Sequence, residues 1–246
     1  MITAASNSRI KRLVQLNQKS KLRRTEDVFL AEGVKMFLEA PREQLQEVYV
    51  SESFLEKCSC REHLEEVGYE VVSDSVFSKI SDTCTPQGVL CVLKQFHYNI
   101  EEMLRDKAPL FLLLENIQDP GNLGTMLRTG EGAGVSGIIM SRDTVDLYNP
   151  KVIRSTMGSI YRVPFYYADD FAAAVHQVQQ AGVSVYAAHL RGKNSYACQD
   201  YTKGTAFLIG NEGNGLREET AELADCYIRI PMEGKVESLN AAVASS

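Results

Sequence analysis

The sequence predicts an α/β protein of two domains, the second built on a mostly parallel sheet. Three observations carry this. Short apolar runs alternate with helical stretches along almost the whole chain. The run Leu-Phe-Leu-Leu-Leu at 110–114 is unbroken by any polar residue, as expected of a strand covered on both faces. A more polar stretch, 97–109, separates two such alternations and reads as a linker. The domains are therefore placed at 1–96 and 110–246.

In the first domain, residues 8–16 predict a helix with Ile10, Leu13, Val14 and Leu16 inward, capped by Asn7 or Ser8. A strand at 28–31 precedes a helix at 35–39 that stops near Pro41. Strands follow at 48–50, 69–72 and 88–93, with helices at 61–67, ended by Gly68, and at 75–80. The second domain begins with the strand at 110–114 and a helix at 122–133, for which Asn122 is the expected cap. Strands at 137–140, 163–167, 183–188, 206–210 and 227–230 alternate with helices at 150–156, 170–181 and 217–223. Gly130, Gly132 and Gly134 weaken the helix at 122–133 and would let it pack closely on a neighbour.

Composition sets bounds on function. At 246 residues, 44% hydrophobic and 24% charged, the chain can bury one good core or two smaller ones. No run is long and apolar enough to span a bilayer, and the amino terminus lacks the apolar core of a secretion signal. The expectation is a cytoplasmic protein. Cysteines 58, 60, 84, 91, 198 and 226 form no Cys-x-x-Cys pair, so neither zinc nor a disulfide framework is expected, and all six read as small buried apolar residues. The net charge is −6, yet residues 1–24 hold Arg9, Lys11, Arg12, Lys19, Lys21, Arg23 and Arg24 and no acid, giving +7. A basic arm on an acidic body suits nucleic-acid phosphates; a solvated helix face would look the same.

Chemistry concentrates in three stretches. The first, 115–130, follows a strand, turns at Pro120-Gly121 and carries Asn122 and Arg128. It has neither the Gly-Lys-Ser/Thr of a P-loop nor a Gly-x-Gly-x-x-Gly fingerprint. The second, 207–216, runs from an apolar strand into Gly210-Asn211-Glu212-Gly213-Asn214-Gly215. The third, 228–240, breaks at Pro231 and Gly234 and reaches Ser238-Leu239-Asn240, where Ser238 could cap a final helix. Each break leaves main-chain groups unpaired at a strand's carboxyl end, where open α/β sheets bind ligands. Two such loops from one sheet can form two sides of one pocket.

In order and spacing these stretches closely resemble the three signature motifs of the SpoU (TrmH-like) family of RNA ribose 2′-O-methyltransferases, in the SPOUT superfamily. Asn122 and Arg128 match the first motif, Asn211-Glu212-Gly213 with Gly215-Leu216 the second, and Ile230-Pro231-Met232 with Ser238-Leu239-Asn240 the third. More loosely, 7–11 and 29–33 resemble the family's substrate-binding domain of L30e-like fold.

The resemblance implies a trefoil-knotted methyltransferase domain, S-adenosylmethionine as cofactor, and RNA, ribosomal RNA before tRNA, as substrate. It implies a homodimer; that no metal and no membrane are involved is the expectation from the cysteine spacing and the absence of a long apolar run. Gly210, Ile230 and Leu239 would hold the cofactor through main-chain groups, with Leu208, Asn211 and Met232 close by. Arg128 would act on the 2′-hydroxyl, and Asn122, Glu212, Ser238 and Asn240 would position ribose, phosphate and cofactor. Two roles are open to Arg128. Arginine is ordinarily protonated, which makes a general-base role demanding; binding the adjacent phosphate and stabilising charge on the ribose oxygen is the gentler one. Family members continue past the third motif with a full apolar helix that closes the knot and the dimer contact, of which 241–246 supply only the first turns. A non-catalytic RNA-binding protein on the same fold is the competing reading.

Overall fold

The computed structural model describes residues 1–235 and 238–246; Val236 and Glu237, inside the third motif, lie outside the described residues. Two compact units emerge, Met1–Phe96 with Asp146–Tyr161, and His97–Val145 with Arg162–Ser246. The sequence reading cuts the chain once, at 97–109, whereas here an excursion from the second half packs into the first unit.

The first unit runs α1 (Ser8–Gln18), α2 (Ser20–Glu26), β1 (Val28–Glu32), α3 (Val34–Leu38), β2 (Leu45–Ser51), α4 (Glu52–Lys57), α5 (Arg61–Val67), β3 (Glu70–Val72), α6 (Asp74–Ile80) and β4 (Val89–Lys94). Its sheet has the order β1-β4-β2-β3, with β4 antiparallel to both neighbours and β3 parallel to β2. Ile10, Leu13 and Leu16 of α1 point into its core, and Val14 is only partly buried. Asn7 caps α1 by accepting from the Arg9 N–H at 2.9 Å.

The amino-terminal cations are not a free arm. Arg23 is 3% exposed, and its Nη1 donates to the carbonyl of Leu16 at 2.6 Å while Nη2 meets Asp146 at 2.6 Å. Arg9 pairs with Glu70, and Arg12 with Glu26 and Glu47. These acids lie on α2, β2 and β3 beside α1, whereas Lys11, Lys19, Lys21 and Arg24 are exposed and without an ion pair among the described residues. The reading of six buried cysteines also fails. Only Cys91, inside β4, is buried, while Cys84, on a loop, and Cys198, ending a short 3-10 turn, are exposed and the others are intermediate; all six are free thiols.

The second unit contains α7 (Ile100–Met103), β5 (Leu110–Leu114), α8 (Pro120–Ala133) and β6 (Gly137–Ser141). The chain then enters the first unit with α9 (Pro150–Thr156), which packs on β1, before returning as β7 (Phe165–Ala168). It continues through α10 (Phe171–Gln180), β8 (Ser184–Ala188), β9 (Asn194–Ser195), β10 (Thr205–Ile209), α11 (Glu218–Ala221), β11 (Cys226–Arg229) and α12 (Ala241–Ala244). The seven strands lie in the order β7-β6-β5-β10-β8-β11-β9, all neighbours parallel. Of the three glycines expected to pack α8 closely, only Gly130 has neighbours, Val135 and Ile138; Gly132 faces open space and Gly134 ends the helix at φ +73°.

Because β10 inserts between β5 and β8, the loop leaving its carboxyl end stands beside the loop leaving β5. That is the switch in strand order at which parallel sheets form their crevice.

Candidate active site

Asp119, not Asn122, caps α8. Its Oδ1 accepts the Asn122 N–H at 2.8 Å, and Pro120 occupies the first turn. Aspartate followed by proline is a strong helix start, because the proline's missing N–H would be unpaired there anyway. Asn122 thus falls inside the first turn with its side chain free for other partners. Its Nδ2 donates to Glu212 Oε1 at 3.1 Å, and its Oδ1 accepts from Asn240 Nδ2 at 3.0 Å. One amide joins the loops that follow β5, β10 and β11.

Glu212 accepts from the main-chain N–H groups of Gln118 at 3.1 Å and Asp119 at 3.0 Å as well. Burial pushes its carboxyl pKa up, but the Asp119 N–H, the Asn122 amide and the Gln118 N–H outweigh it and hold the group below the usual glutamate range. It is therefore a fixed anion at neutral pH that orders the turn before α8.

The loop after β10 closes tightly. Asn211 N–H donates to the Gly215 carbonyl at 3.0 Å and Gly215 N–H returns to the Asn211 carbonyl at 2.9 Å. A Cβ on Gly210 would stand 2.2 Å from the Gly215 carbonyl carbon and the Leu216 nitrogen, so only glycine fits. Asn211 shapes this loop from within: its Oδ1 accepts from the N–H groups of Gly213 and Asn214, and its Nδ2 donates to the Asn116 carbonyl at 2.8 Å. Leu208 is wholly buried in β10 and turns its side chain into the core.

A second clamp is not anticipated from the sequence. Glu115, 1% exposed just after β5, accepts from the Thr220 hydroxyl and from the Arg217 N–H at 2.8 Å. Its carboxylate also lies 3.6 Å from the Arg217 guanidinium, which in turn pairs with Asp143. The available signal is an acid directly following five apolar strand residues, since a charge there needs a partner.

At the third loop, Asn240 rather than Ser238 caps α12, accepting from the N–H of Ala242 at 2.9 Å and of Val243 at 3.4 Å. Ile230 and Met232 are half-buried, Leu239 is 37% exposed and Ser238 is exposed. The main-chain groups of 232–235, 238 and 239 make no hydrogen bond among the described residues. Such a strand end, apolar on one side and rich in uncommitted main-chain donors and acceptors, suits a ligand with a flat heterocycle and several polar groups. Arg128 is exposed, about 9 Å further along α8 than Asn122 at 1.5 Å per residue. It makes no ion pair among the described residues and stands apart from the Asn122–Glu212–Asn240 chain, as does Ser238.

Comparison with known proteins matches this architecture. Residues 109–246 fit the model of the SpoU rRNA methylase family, and 7–91 fit the MRM3-like substrate-binding domain. The chain is 32% identical over 248 residues to a 23S rRNA (guanosine(2553)-2′-O)-methyltransferase, RlmP, of Bacillus subtilis, covering 100% of this chain and 96% of that one. It is 31% identical to RlmB, a 23S rRNA (guanosine-2′-O-)-methyltransferase, of Neisseria meningitidis, over 68% of each. An AdoMet-bound rRNA methyltransferase from Sinorhizobium meliloti superposes with a TM-score of 0.84 at 30% identity, covering 99% of this chain and 93% of that one. With Asn122, Glu212 and Asn240 of the three motifs joined by hydrogen bonds and the whole chain covered by such a relative, the chain belongs to the SpoU rRNA methylase family.

Proposed function

We propose that this protein transfers a methyl group from S-adenosylmethionine to a ribose 2′-hydroxyl of ribosomal RNA. The observation that carries the reading is the hydrogen-bonded chain Glu212–Asn122–Asn240, which locks together the three loops bearing the family's motifs. Full-length similarity to ribosomal RNA enzymes favours that substrate; a structure concerning 2′-OH methylation of tRNA matches only 56% of the chain.

The residues present fit the cofactor. Uncommitted main-chain groups near Met232 and Leu239, beside half-buried Ile230 and Met232, would hold its heterocycle and polar groups, with Gly210 fixing the shape of the neighbouring loop. When bound, S-adenosylmethionine supplies an electrophilic methyl group. The protein's own contribution is to place the ribose and favour loss of its hydroxyl proton. Asn122 and Glu212 hold the turn that aims α8, and Arg128, exposed on that helix, offers a guanidinium to the adjacent phosphate and to charge developing on the ribose oxygen. Ser238, next to the cap of α12, contributes a hydroxyl at the same rim.

The reading also brings a homodimer and a knotted carboxyl-terminal crossing, both implied by the family resemblance, and a cytoplasmic site of action, expected from the composition. Exposed Leu239 and Val243 support the dimer, and light scattering in solution tests it. For the activity, the test is calorimetric titration with S-adenosylmethionine, followed by transfer of labelled methyl to unmodified ribosomal RNA and digestion to nucleosides. Label recovered in 2′-O-methylnucleosides is expected; label on bases, or none, overturns the proposal.

A further inference from the structure

The first unit holds a depression of about 450 Å³ that the methyl-transfer site does not use. Arg9 and Arg12 of α1, Glu47 and Tyr49 of β2, and Tyr69 and Glu70 at the start of β3 line it. Its volume falls within the ~300–1,000 Å³ typical of small-ligand pockets.

The charges in it hold one another in place. Arg9 Nη1 donates to Glu70 Oε1 at 2.7 Å, and Arg12 Nη1 to Glu47 Oε1 at 2.7 Å. Arg12 Nε is fixed by Glu26, also at 2.7 Å, and the Tyr49 hydroxyl donates to the second oxygen of Glu47. Two donors and an acceptor remain: the Nη2 groups of both arginines have no partner among the described residues, and neither does the acceptor Glu70 Oε2. The Tyr69 ring is half-exposed on the wall.

Two cations against two carboxylates leave the lining near neutral, which does not single out a phosphate. The wall suits a flat neutral group with acceptors on one edge and donors on another, beside an aromatic face. Unpaired RNA bases are recognised by stacking on aromatic rings and by hydrogen bonds to their edges, and arginine suits the acceptor edge of a purine.

We propose that this depression takes an unstacked purine base of the RNA substrate, stacked on Tyr69, with its acceptors toward Arg9 and Arg12 and its donors toward Glu70. The inference rests on the reading that the chain acts on RNA and adds a recognition site separate from the cofactor loops.

The chain has no tryptophan, so Tyr69→Trp places a single indole on the wall. The full-length variant is titrated with GMP, AMP and UMP and with unmodified ribosomal RNA, reading indole fluorescence, and methyl transfer is measured in parallel. Quenching by a purine nucleotide and by the RNA, with UMP much weaker, is expected. Tyr69→Ala and Arg9→Ala should each raise the KM for RNA roughly ten-fold and leave kcat and cofactor affinity unchanged. RNA bound without change in the indole signal, UMP quenching as strongly as the purines, or wild-type KM in both alanine variants overturns the site. Methyl transfer without quenching sinks only this site, whereas purine quenching without methyl transfer upholds it and sinks the enzymatic reading.

Discussion

Asn122 and Glu212, 90 residues apart in sequence, meet with Nδ2 3.1 Å from Oε1 at the carboxyl edge of the parallel sheet. The contact needs a donor on residue 122 facing a carboxylate, while the opposite side of the same amide accepts from Asn240. Asn122→Ala removes both bonds. Asn122→Asp keeps the shape but sets two carboxylates against each other. Leaving such groups unpaired costs about 1–3 kcal/mol. Cofactor affinity measured by calorimetry should fall in the order wild type, Ala, Asp. An aspartate variant that binds as well as the wild type would break the account.

Gly210 offers a sharper steric case. A Cβ there would lie 2.2 Å from two main-chain atoms of the loop it must close against, and backbone cannot rotate away as a side-chain tip can. Gly210→Ala should lower stability by about 1–3 kcal/mol through forced displacement of 211–216. It should weaken cofactor binding more than Gly213→Ala, whose Cβ would meet nothing closer than Asn211 Oδ1 at 3.6 Å. Thermal melting with and without S-adenosylmethionine checks both halves.

These relationships differ in how far the sequence discloses them. The strand at 110–114 is legible to the residue because five consecutive apolar positions admit little else, and the helices at 61–67 and 150–156 because Gly68 and Pro150 mark their ends. The helices α2 and α4 are invisible: α2 buries only Arg23 and α4 buries nothing, so neither carries an apolar period. The cap of α8 is misread because Asp119 and Asn122 both suit the position, and only the following proline decides between them. The motif residues emerge through their resemblance to a family. Their linkage does not, since Asn122 to Asn240 spans 118 residues and Glu115 to Arg217 spans 102, and no local pattern encodes which loops a fold brings together.

Arg128 separates binding from chemistry. It makes no ion pair among the described residues and takes no part in the amide chain, so its loss should leave the loops intact. A guanidinium is all donor and no acceptor, and so suits stabilising a developing anion. Arg128→Ala should retain cofactor affinity yet lose turnover by roughly 10²–10³-fold, the scale of a lost oxyanion donor. Added guanidinium should restore part of the rate. A variant that loses cofactor affinity in proportion to rate would give Arg128 a structural role instead.

The amino-terminal cations divide into two groups with opposite signatures. Lys11, Lys19, Lys21 and Arg24 are exposed and unpaired among the described residues, and are the ones available to RNA phosphates. Each phosphate contact on single-stranded RNA contributes roughly −0.7 to the slope of log K against log salt, so replacing one of the four with alanine should flatten the slope by about that much. Arg23 is buried with hydrogen bonds to two carbonyls and an ion pair to Asp146. Arg23→Ala should leave the slope alone and instead cost about 1.5–3 kcal/mol of stability, the range for hydrogen bonds to a charged group. Salt titrations and denaturant melts on the same variants distinguish the two groups.

The pH dependence of the loop structure follows from Glu212. Burial raises its folded-state pKa, but the Asp119 N–H, the Asn122 amide and the Gln118 N–H more than offset this and leave it below the ordinary glutamate value. A depressed carboxyl pKa contributes stability that is fully present above the unfolded value, about 4.3, and is lost as pH falls through the folded one. Wild type and Glu212→Gln should therefore differ by a constant margin from about pH 6 to 8, since the glutamine amide cannot satisfy both N–H donors as the carboxylate does. The margin should narrow only in acid, below the ordinary glutamate range. Asp143, also held low, titrates in both proteins and cancels from the difference. Melting temperatures of the pair across roughly pH 3–8 give the comparison, and a margin that stays constant to about pH 3 would mean that the ionised carboxylate is not what holds the turn before α8.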